Sequence, residues 1–260
     1  MRLWEMRHVI ASGAESCVSV AGEDVTEQGI AILVLATSLP WQRLDRLDLR
    51  NNQLGPDRAA ALAANLPRLS SLTALTLSFN GLRADGATAI APYLPALLTA
   101  LNLSGNAIGP EGTHALASAF PPALRTLDLS TNAIGDIGAQ AIAAHWPRTL
   151  TQLNLAYNHI GEVGARALAA HLRTSSVTDL RLPSNRIGDA GAQAIADNFP
   201  AALATLYLSN NGVSDPGGRA IASALPLSVT ELVMGNNQVS GPGKDAIRRA
   251  WGGRSSLCFL

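Results

Sequence analysis

The chain has 260 residues, of which 47% are hydrophobic, 4% aromatic and 15% charged, and 19 basic residues balance 19 acidic ones. This balance excludes an overall electrostatic attraction to nucleic acid or to an anionic membrane surface. The two cysteines, Cys17 and Cys258, exclude a disulfide-built scaffold. The best candidate for a membrane span, residues 30–39, has about half the apolar length that a spanning helix needs.

A regularly spaced asparagine organises most of the sequence. The intervals between successive members are 28, 26, 26, 26, 27, 26 and 26 residues. Each asparagine follows apolar residues placed five and three positions before it, and another apolar residue comes two positions after it. Self-similarity at a fixed period predicts a repeat architecture. The eight asparagines are Asn52, Asn80, Asn106, Asn132, Asn158, Asn185, Asn211 and Asn237.

Within each repeat the apolar spacing predicts a strand followed by a helix. Alternating apolar residues before the asparagine, such as Leu101 and Leu103, are typical of a strand with one buried face. Apolar residues ten and fourteen positions after it, such as Ile142 and Trp146, share one helix face. Proline follows most of these helices and stops them. Parallel strands therefore alternate with helices along the chain.

Two residues of the repeat have predicted structural roles. The asparagine amide both donates and accepts hydrogen bonds, so in successive repeats it predicts a buried ladder that satisfies loop backbone groups. A glycine stands six positions after the asparagine in the seven later repeats, whereas the first full repeat has Arg58 there. This glycine predicts a close approach between the start of each helix and the preceding backbone.

The pattern L-x-x-L-x-L-x-x-N-x-L followed by a helix resembles the leucine-rich repeat. The period and the glycine-containing tail are similar to the ribonuclease-inhibitor-like subclass. The resemblance covers residues 44–251 and implies an α/β solenoid shaped as a horseshoe, with a parallel concave sheet, convex helices and about eight full repeats. A weaker unit within residues 1–43, with Glu23 in the asparagine position, predicts an amino-terminal cap. Residues 252–260 are predicted to be a carboxy-terminal cap of the same structural domain, with Leu257 and Phe259 in a short strand.

Variable residues on the outward side of the strands predict the binding site, because the scaffold does not require them. Most are small or polar, but aromatic and arginine residues cluster in neighbouring repeats. Tyrosine and arginine are enriched at the energetic centres of protein interfaces. The predicted partner-binding patch comprises Asp128, Asn154, Tyr157, His159, Arg181, Arg186 and Tyr207.

A second candidate site lies on the first full strand, where Arg46, Asp48 and Arg50 alternate with buried positions. Alternating charge on a terminal strand also serves to protect a sheet end. The sequence leaves both interpretations open for these three residues.

Signatures of catalysis are missing from the sequence. It contains no phosphate-binding G-x-x-x-x-G-K-[ST], no G-x-S-x-G and no H-E-x-x-H motif. His145 and His171 share one helical column, but no third metal ligand is evident. Trp146 and Trp251 occupy a regular apolar position and are predicted to be core residues. We therefore expect no enzyme activity, no metal and no cofactor.

The sequence favours a non-catalytic, monomeric interaction module that binds a protein partner on its concave face and adjoining loops. Two alternatives stay open: a GTPase-activating protein of the Ran type, which this class of repeat resembles, and a bacterial effector or ubiquitin-ligase adaptor delivered to a host. Lys244 is the only lysine among the 19 basic residues, a bias that agrees with delivery or with a GC-rich genome. The amino terminus lacks a secretory signal, so a cytoplasmic location is expected, with the host cytosol as the alternative.

Overall fold

The computed structural model describes residues 17–19, 21–22, 44–254 and 257–258. The predicted amino-terminal cap therefore lies outside the described residues at 1–16, 20 and 23–43, a range that includes Glu23. Phe259 also lies outside them. The chain divides into two compact units, Met1–Asn132 and Ala133–Leu260, here called the first and second unit. Each unit is a stack of strand–helix repeats, which confirms the predicted solenoid architecture.

Parallel strands in chain order form the sheet of each unit. Most have three residues, and each strand from β2 to β9 ends four residues before the repeated asparagine. In the first unit the strands are Cys17–Ser19 (β1), Arg46–Asp48 (β2), Ala74–Thr76 (β3), Ala100–Asn102 (β4) and Thr126–Asp128 (β5). In the second unit they are Gln152–Asn154 (β6), Asp179–Arg181 (β7), Thr205–Tyr207 (β8), Glu231–Val233 (β9) and Leu257–Cys258 (β10).

A helix follows each strand from β2 to β9. The first unit contains Gly55–Ala63 (α1), Arg83–Ile90 (α2) and Gly109–Ala117 (α3), with short 3₁₀ turns at Leu66–Arg68 and Ala91–Tyr93. The second unit contains Gly135–Ala144 (α4), Glu162–Leu172 (α5), Gly188–Asp197 (α6), Asp215–Ala224 (α7) and Gly241–Trp251 (α8). Among the described residues no helix combines the length and the apolar character needed to cross a bilayer.

The core of each unit lies between its strands and its helices. The central residue of every strand from β2 to β9 is buried, and the residues beside it face outward, as the alternating pattern predicts. Ile142, Leu168 and Ile195 from three successive helices are at most 2% exposed. Trp251 is equally buried, but Trp146 is only half-buried, so its assignment to the core was wrong.

The asparagine ladder is confirmed. Asn106, which has no exposed surface, accepts hydrogen bonds through Oδ1 from the backbone N–H groups of Asn80 (2.9 Å) and Leu82 (3.3 Å). Its Nδ2 donates to the carbonyl oxygens of Leu77 and Leu103, both at 2.9 Å. One side chain therefore satisfies backbone groups in two adjacent repeats. Asn185 and Asn237 do the same in the second unit.

The repeated glycine permits close helix packing, as predicted. A Cβ atom built on Gly112 would lie 2.6 Å from Ile108 Cγ2 and 3.1 Å from Ala84 Cα in the preceding helix. At Gly191 it would lie 3.0 Å from the Ala165 Cβ atom of the preceding repeat. A larger residue at either position would force the neighbouring atoms to shift.

An aspartate clamp, not predicted from the sequence, joins neighbouring helix starts in the second unit. Asp189 Oδ1, in the first turn of α6, accepts from the N–H groups of Ser214 (2.7 Å) and Gly217 (3.0 Å) at the start of α7. The Ser214 hydroxyl donates to Asp189 Oδ2 at 2.6 Å. Asp136 and Asp215 make equivalent bonds to the next helix. The carboxylates satisfy N–H groups that a helix start leaves without partners.

We expect the Asp189 clamp to make stability depend on pH. Burial opposes ionisation, but the hydrogen bonds from Ser214 and Gly217 prevail and hold the pKa of Asp189 below its ordinary value. The folded state therefore binds fewer protons than the unfolded state near that pKa. The stabilisation is present above the ordinary carboxyl pKa and is lost as pH falls through the lowered value.

Urea unfolding at about pH 6 and about pH 2.5 tests this expectation. Asp189→Asn should lose less stability on acidification than the wild type. Asp197→Asn serves as control, because Asp197 accepts a single side-chain bond, from Gln193. Equal acid sensitivity of the wild type and Asp189→Asn would show that the clamp does not respond to pH.

Candidate partner-binding site

Three residues of the predicted patch lie in register on adjacent strands of the second unit. Asn154 on β6 pairs with Arg181 on β7, and Arg181 pairs with Tyr207 on β8. All three project from the outward side of the sheet, which we call the strand face. They therefore form a continuous row across three repeats.

Arg181 and Tyr207 belong to an ordered polar network. Arg181 donates through Nε (2.9 Å) and Nη2 (2.8 Å) to the Asp179 carboxylate, and its guanidinium lies 5.1 Å from the centre of the Tyr207 ring. The Tyr207 hydroxyl donates to Glu231 Oε1 at 2.6 Å. The bond to Glu231 raises the pKa of Tyr207, and the bond to Asp179 raises the pKa of Arg181. Both side chains are thus oriented before any partner binds.

The residue before each repeated asparagine has a left-handed backbone, whatever its type. At Tyr157 φ is +57°, at Thr131 +58° and at Phe79 +55°. Glycine or asparagine occupies this position in four other repeats, where the conformation costs little. A bulky residue in this region is a conformational outlier and a reason to look for function. The Tyr157 side chain is nevertheless 60% exposed.

Tyr157, His159 and Arg186 are brought together at the edge where strands end and helices begin, which we call the loop edge. Tyr157 N–H donates to the Pro183 carbonyl oxygen at 2.9 Å, and Arg186 N–H donates to the Ile160 carbonyl oxygen at 2.7 Å. The two loops are therefore bonded directly to each other. The side chains of Tyr157, His159 and Arg186 are all exposed.

Asp128 and Asn154 also have a local structural role. Asp128 Oδ1 accepts from the Ser130 N–H (2.9 Å), and Asn154 Oδ1 accepts from the Ala156 N–H (3.1 Å). Such bonds fix the turn out of the strand. The β7 repeat has Pro183 two positions after Arg181, and proline has no N–H that needs such a partner. Asp128 belongs to the first unit, whereas the other six residues of the predicted patch belong to the second.

The second candidate site lies on and just after β2. Arg50 donates through Nε to Asp48 Oδ2 at 2.8 Å, and Nη2 also contacts this oxygen. Arg46 is exposed and pairs in register with Cys17 of β1. The Asp48 carboxylate is therefore already paired with Arg50 within the chain.

Sequence reasoning missed Asp179 and Glu231, the carboxylates that hold Arg181 and Tyr207. Both stand six positions before a repeated asparagine, an outward strand position. A signal was present, because residues two apart on a strand share a face, so Asp179 adjoins Arg181. The Tyr207–Glu231 bond depends on the register of two repeats and carries no local signal.

A cavity of about 500 Å³ opens at the carboxy-terminal ends of α4 and α5. Its lining includes Trp146, Arg148, His171 and Thr174, and the Trp146 and His171 rings stack with centroids 6.0 Å apart. Among the described residues no group of three or more His, Cys, Asp or Glu side chains is placed to hold a metal ion.

Comparison with solved structures shows the same fold at low sequence identity. The leucine-rich repeat-containing protein LegL7 from Legionella pneumophila aligns at 18% identity with a TM-score of 0.51, over 93% of this chain and 92% of that one. A chain from the yeast Rad7–Elc1 complex aligns at 16% identity with a TM-score of 0.64, over 90% of this chain and 59% of that one. A search of curated protein sequences returns no match.

The family comparison agrees with the repeat structure. The Leucine Rich repeat model matches residues 68–91, 96–117, 122–143, 147–169, 175–196 and 203–222. These matches cover slightly more than half of the chain, and each spans a strand and a helix of one repeat. By sequence and by structure, this chain belongs to the leucine-rich repeat family.

Proposed function

We propose that this protein is a non-catalytic interaction module that binds a protein partner through the second unit. The binding surface comprises the strand-face row Asn154, Arg181 and Tyr207 and the loop-edge residues Tyr157, His159 and Arg186. The observation that carries the proposal is Tyr157, a large exposed ring held in an unfavourable left-handed backbone.

The geometry of the neighbouring side chains supports a binding role. The bonds to Asp179 and Glu231 hold Arg181 and Tyr207 in one arrangement. Pre-oriented side chains lose little conformational entropy on association, so more of the contact energy appears as affinity. Aromatic and arginine side chains are also the types that contribute most at interface centres.

A comparative pull-down tests this function. The triple variant Tyr157→Ala, Arg181→Ala, Tyr207→Ala should lose a protein that the wild type captures from lysates of the source organism or of candidate host cells. A matched control removes a tyrosine, a large apolar residue and an arginine that are exposed elsewhere: Tyr93→Ala, Leu227→Ala, Arg249→Ala. The control should capture the same protein as the wild type.

Three outcomes would change the proposal. Equal capture by all three proteins would reject the patch and direct attention to Arg46, Asp48 and Arg50. Loss of the patch variant's cooperative thermal unfolding would show that these side chains are structural. Capture of a small GTPase whose GTP hydrolysis then accelerates would replace the non-catalytic role with that of an activator.

A further inference from the structure

The second unit carries an excess of positive charge. It contains ten basic and eight acidic residues, whereas the first unit contains nine basic and eleven acidic ones. The chain as a whole is neutral because the two excesses cancel. Any charged partner therefore meets a different field at each unit.

All eight Asp and Glu side chains of the second unit, which lie in the part of the chain that the structure describes, are already bonded within that unit. Three accept from backbone N–H groups at the start of the next helix: Asp136, Asp189 and Asp215. Three pair with arginines: Glu162, Asp179 and Asp245. The last two, Asp197 and Glu231, accept from Gln193 and Tyr207. These groups are less available to a partner than an unpaired charge.

Arg186 stands in contrast to these carboxylates. Its backbone is fixed by the bond to the Ile160 carbonyl, but its exposed guanidinium has no carboxylate partner among the described residues. It lies on the loop that is bonded to the loop of Tyr157. The loop edge thus presents an uncompensated cation close to an exposed aromatic ring.

Apolar side chains extend this surface onto the starts of the helices. Ile137 and Val163, 67% and 54% exposed, occupy equivalent positions in α4 and α5. Asp136, next to Ile137, accepts at 2.9 Å from the N–H of Gly164, next to Val163. The clamp therefore holds the two exposed apolar residues on contacting helix turns.

We infer that the partner docks through an acidic segment that also carries large apolar side chains. This inference rests on the proposed function and specifies the chemistry of its partner. Carboxylates of the segment pair with Arg186 and with the outer side of Arg181, and its apolar side chains cover Tyr157, Ile137 and Val163.

Fluorescence anisotropy with two synthetic probes tests the inference on the full chain. The probes are short labelled peptides that alternate tyrosine with glutamate or with lysine. The glutamate peptide should bind at least about tenfold more tightly than the lysine peptide, and its affinity should fall as the salt concentration is raised.

A charge-reversal variant tests the role of Arg186. Arg186→Glu should lower the affinity for the glutamate peptide about tenfold or more, since like charges repel. Arg249→Glu, on an exposed helix position without a carboxylate partner among the described residues, is the matched control and should leave it unchanged.

Substitution of the apolar pair is the second arm. The double variant Ile137→Ser, Val163→Ser should bind the glutamate peptide more weakly than the wild type does. Leu227→Ser, at an 86% exposed position on another edge, should bind it as tightly as the wild type does. Equal affinity for both peptides, absence of glutamate-peptide binding up to about millimolar concentration, or equal effects of Arg186→Glu and Arg249→Glu would overturn the inference. The pull-down keeps this test separate from the proposed function. If only the triple patch variant fails to capture the partner and one of these peptide results is also found, the acidic chemistry is rejected but the proposed function stands.

Discussion

Replacement of Asn106 by alanine is expected to lower the free energy of unfolding by about 3 kcal/mol. The substitution leaves two buried N–H groups, of Asn80 and Leu82, without their acceptor. It also removes one of the two asparagine amide donors to each of the carbonyl oxygens of Leu77 and Leu103, which keep their bonds from Asn80 and Asn132. Each buried N–H group that loses its partner costs about 1 to 3 kcal/mol, and Asn106 has no exposed surface.

Urea denaturation measures this change, with Asn65→Ala as the matched control. Asn65 Nδ2 makes a single bond, to the Ala61 carbonyl oxygen, at a partly buried position. The control should lose about 1 kcal/mol or less. If both variants lost the same stability, the ladder would be no more important than an ordinary side-chain hydrogen bond.

Replacement of Tyr157 by asparagine is expected to separate stability from binding. Asparagine tolerates the left-handed backbone and occupies the same repeat position at residues 51, 210 and 236. The substitution removes an exposed ring and relieves a strain of about 1 kcal/mol. The free energy of unfolding should therefore stay the same or rise by up to about 1 kcal/mol, although a large side chain has been removed.

Thermal and urea unfolding of Tyr157→Asn test the stability part. Phe79→Asn is the matched control, because Phe79 has the same backbone conformation and is 57% exposed in the first unit. Phe79→Asn should have a less favourable effect on the free energy of unfolding than Tyr157→Asn, because it also removes the packing of the Phe79 ring against Gly105. A loss of more than about 1 kcal/mol in Tyr157→Asn would mean that the tyrosine is structural and that its backbone strain does not signal binding.

The solenoid, its asparagine ladder and its close helix packing were predictable because the same residue pattern recurs in every full repeat. The spacing of Leu101, Leu103 and Asn106 places two side chains in the core and one amide at the strand end. Eight occurrences make that pattern unambiguous. Gly112 was predictable for the same reason, since a position that stays free of side chains in seven repeats marks a close approach.

The left-handed backbone before each asparagine was not predictable from residue type. Tyr157, Thr131 and Phe79 disfavour that conformation by themselves. The bonds that the loop makes with the next repeat, such as Tyr157 N–H to the Pro183 carbonyl oxygen, impose it. The conformation follows from stacking and therefore has no signature in a single repeat.

The outward placement of the candidate residues was predictable, but the pairing of their charges was not. The repeat pattern places Arg181 and Tyr207 on the strand face and Tyr157 in the loop that follows, as the structure has them. Which charges are paired depends on neighbouring repeats: Glu231 accepts a hydrogen bond from Tyr207, and Asp189 accepts one from the backbone of Ser214. Repeat register and helix contacts decide which charges are paired, and composition alone does not contain that information.

The affinity of the captured partner for three purified proteins tests the binding role of the second unit most directly. Isothermal titration calorimetry would compare the wild type with Tyr157→Asn and with Phe79→Asn, which relieve the same backbone strain in different units. We predict that Tyr157→Asn weakens binding at least about tenfold, as loss of an interface aromatic does, and that Phe79→Asn binds like the wild type. Equal affinity of all three proteins would contradict the placement of the binding site at Tyr157.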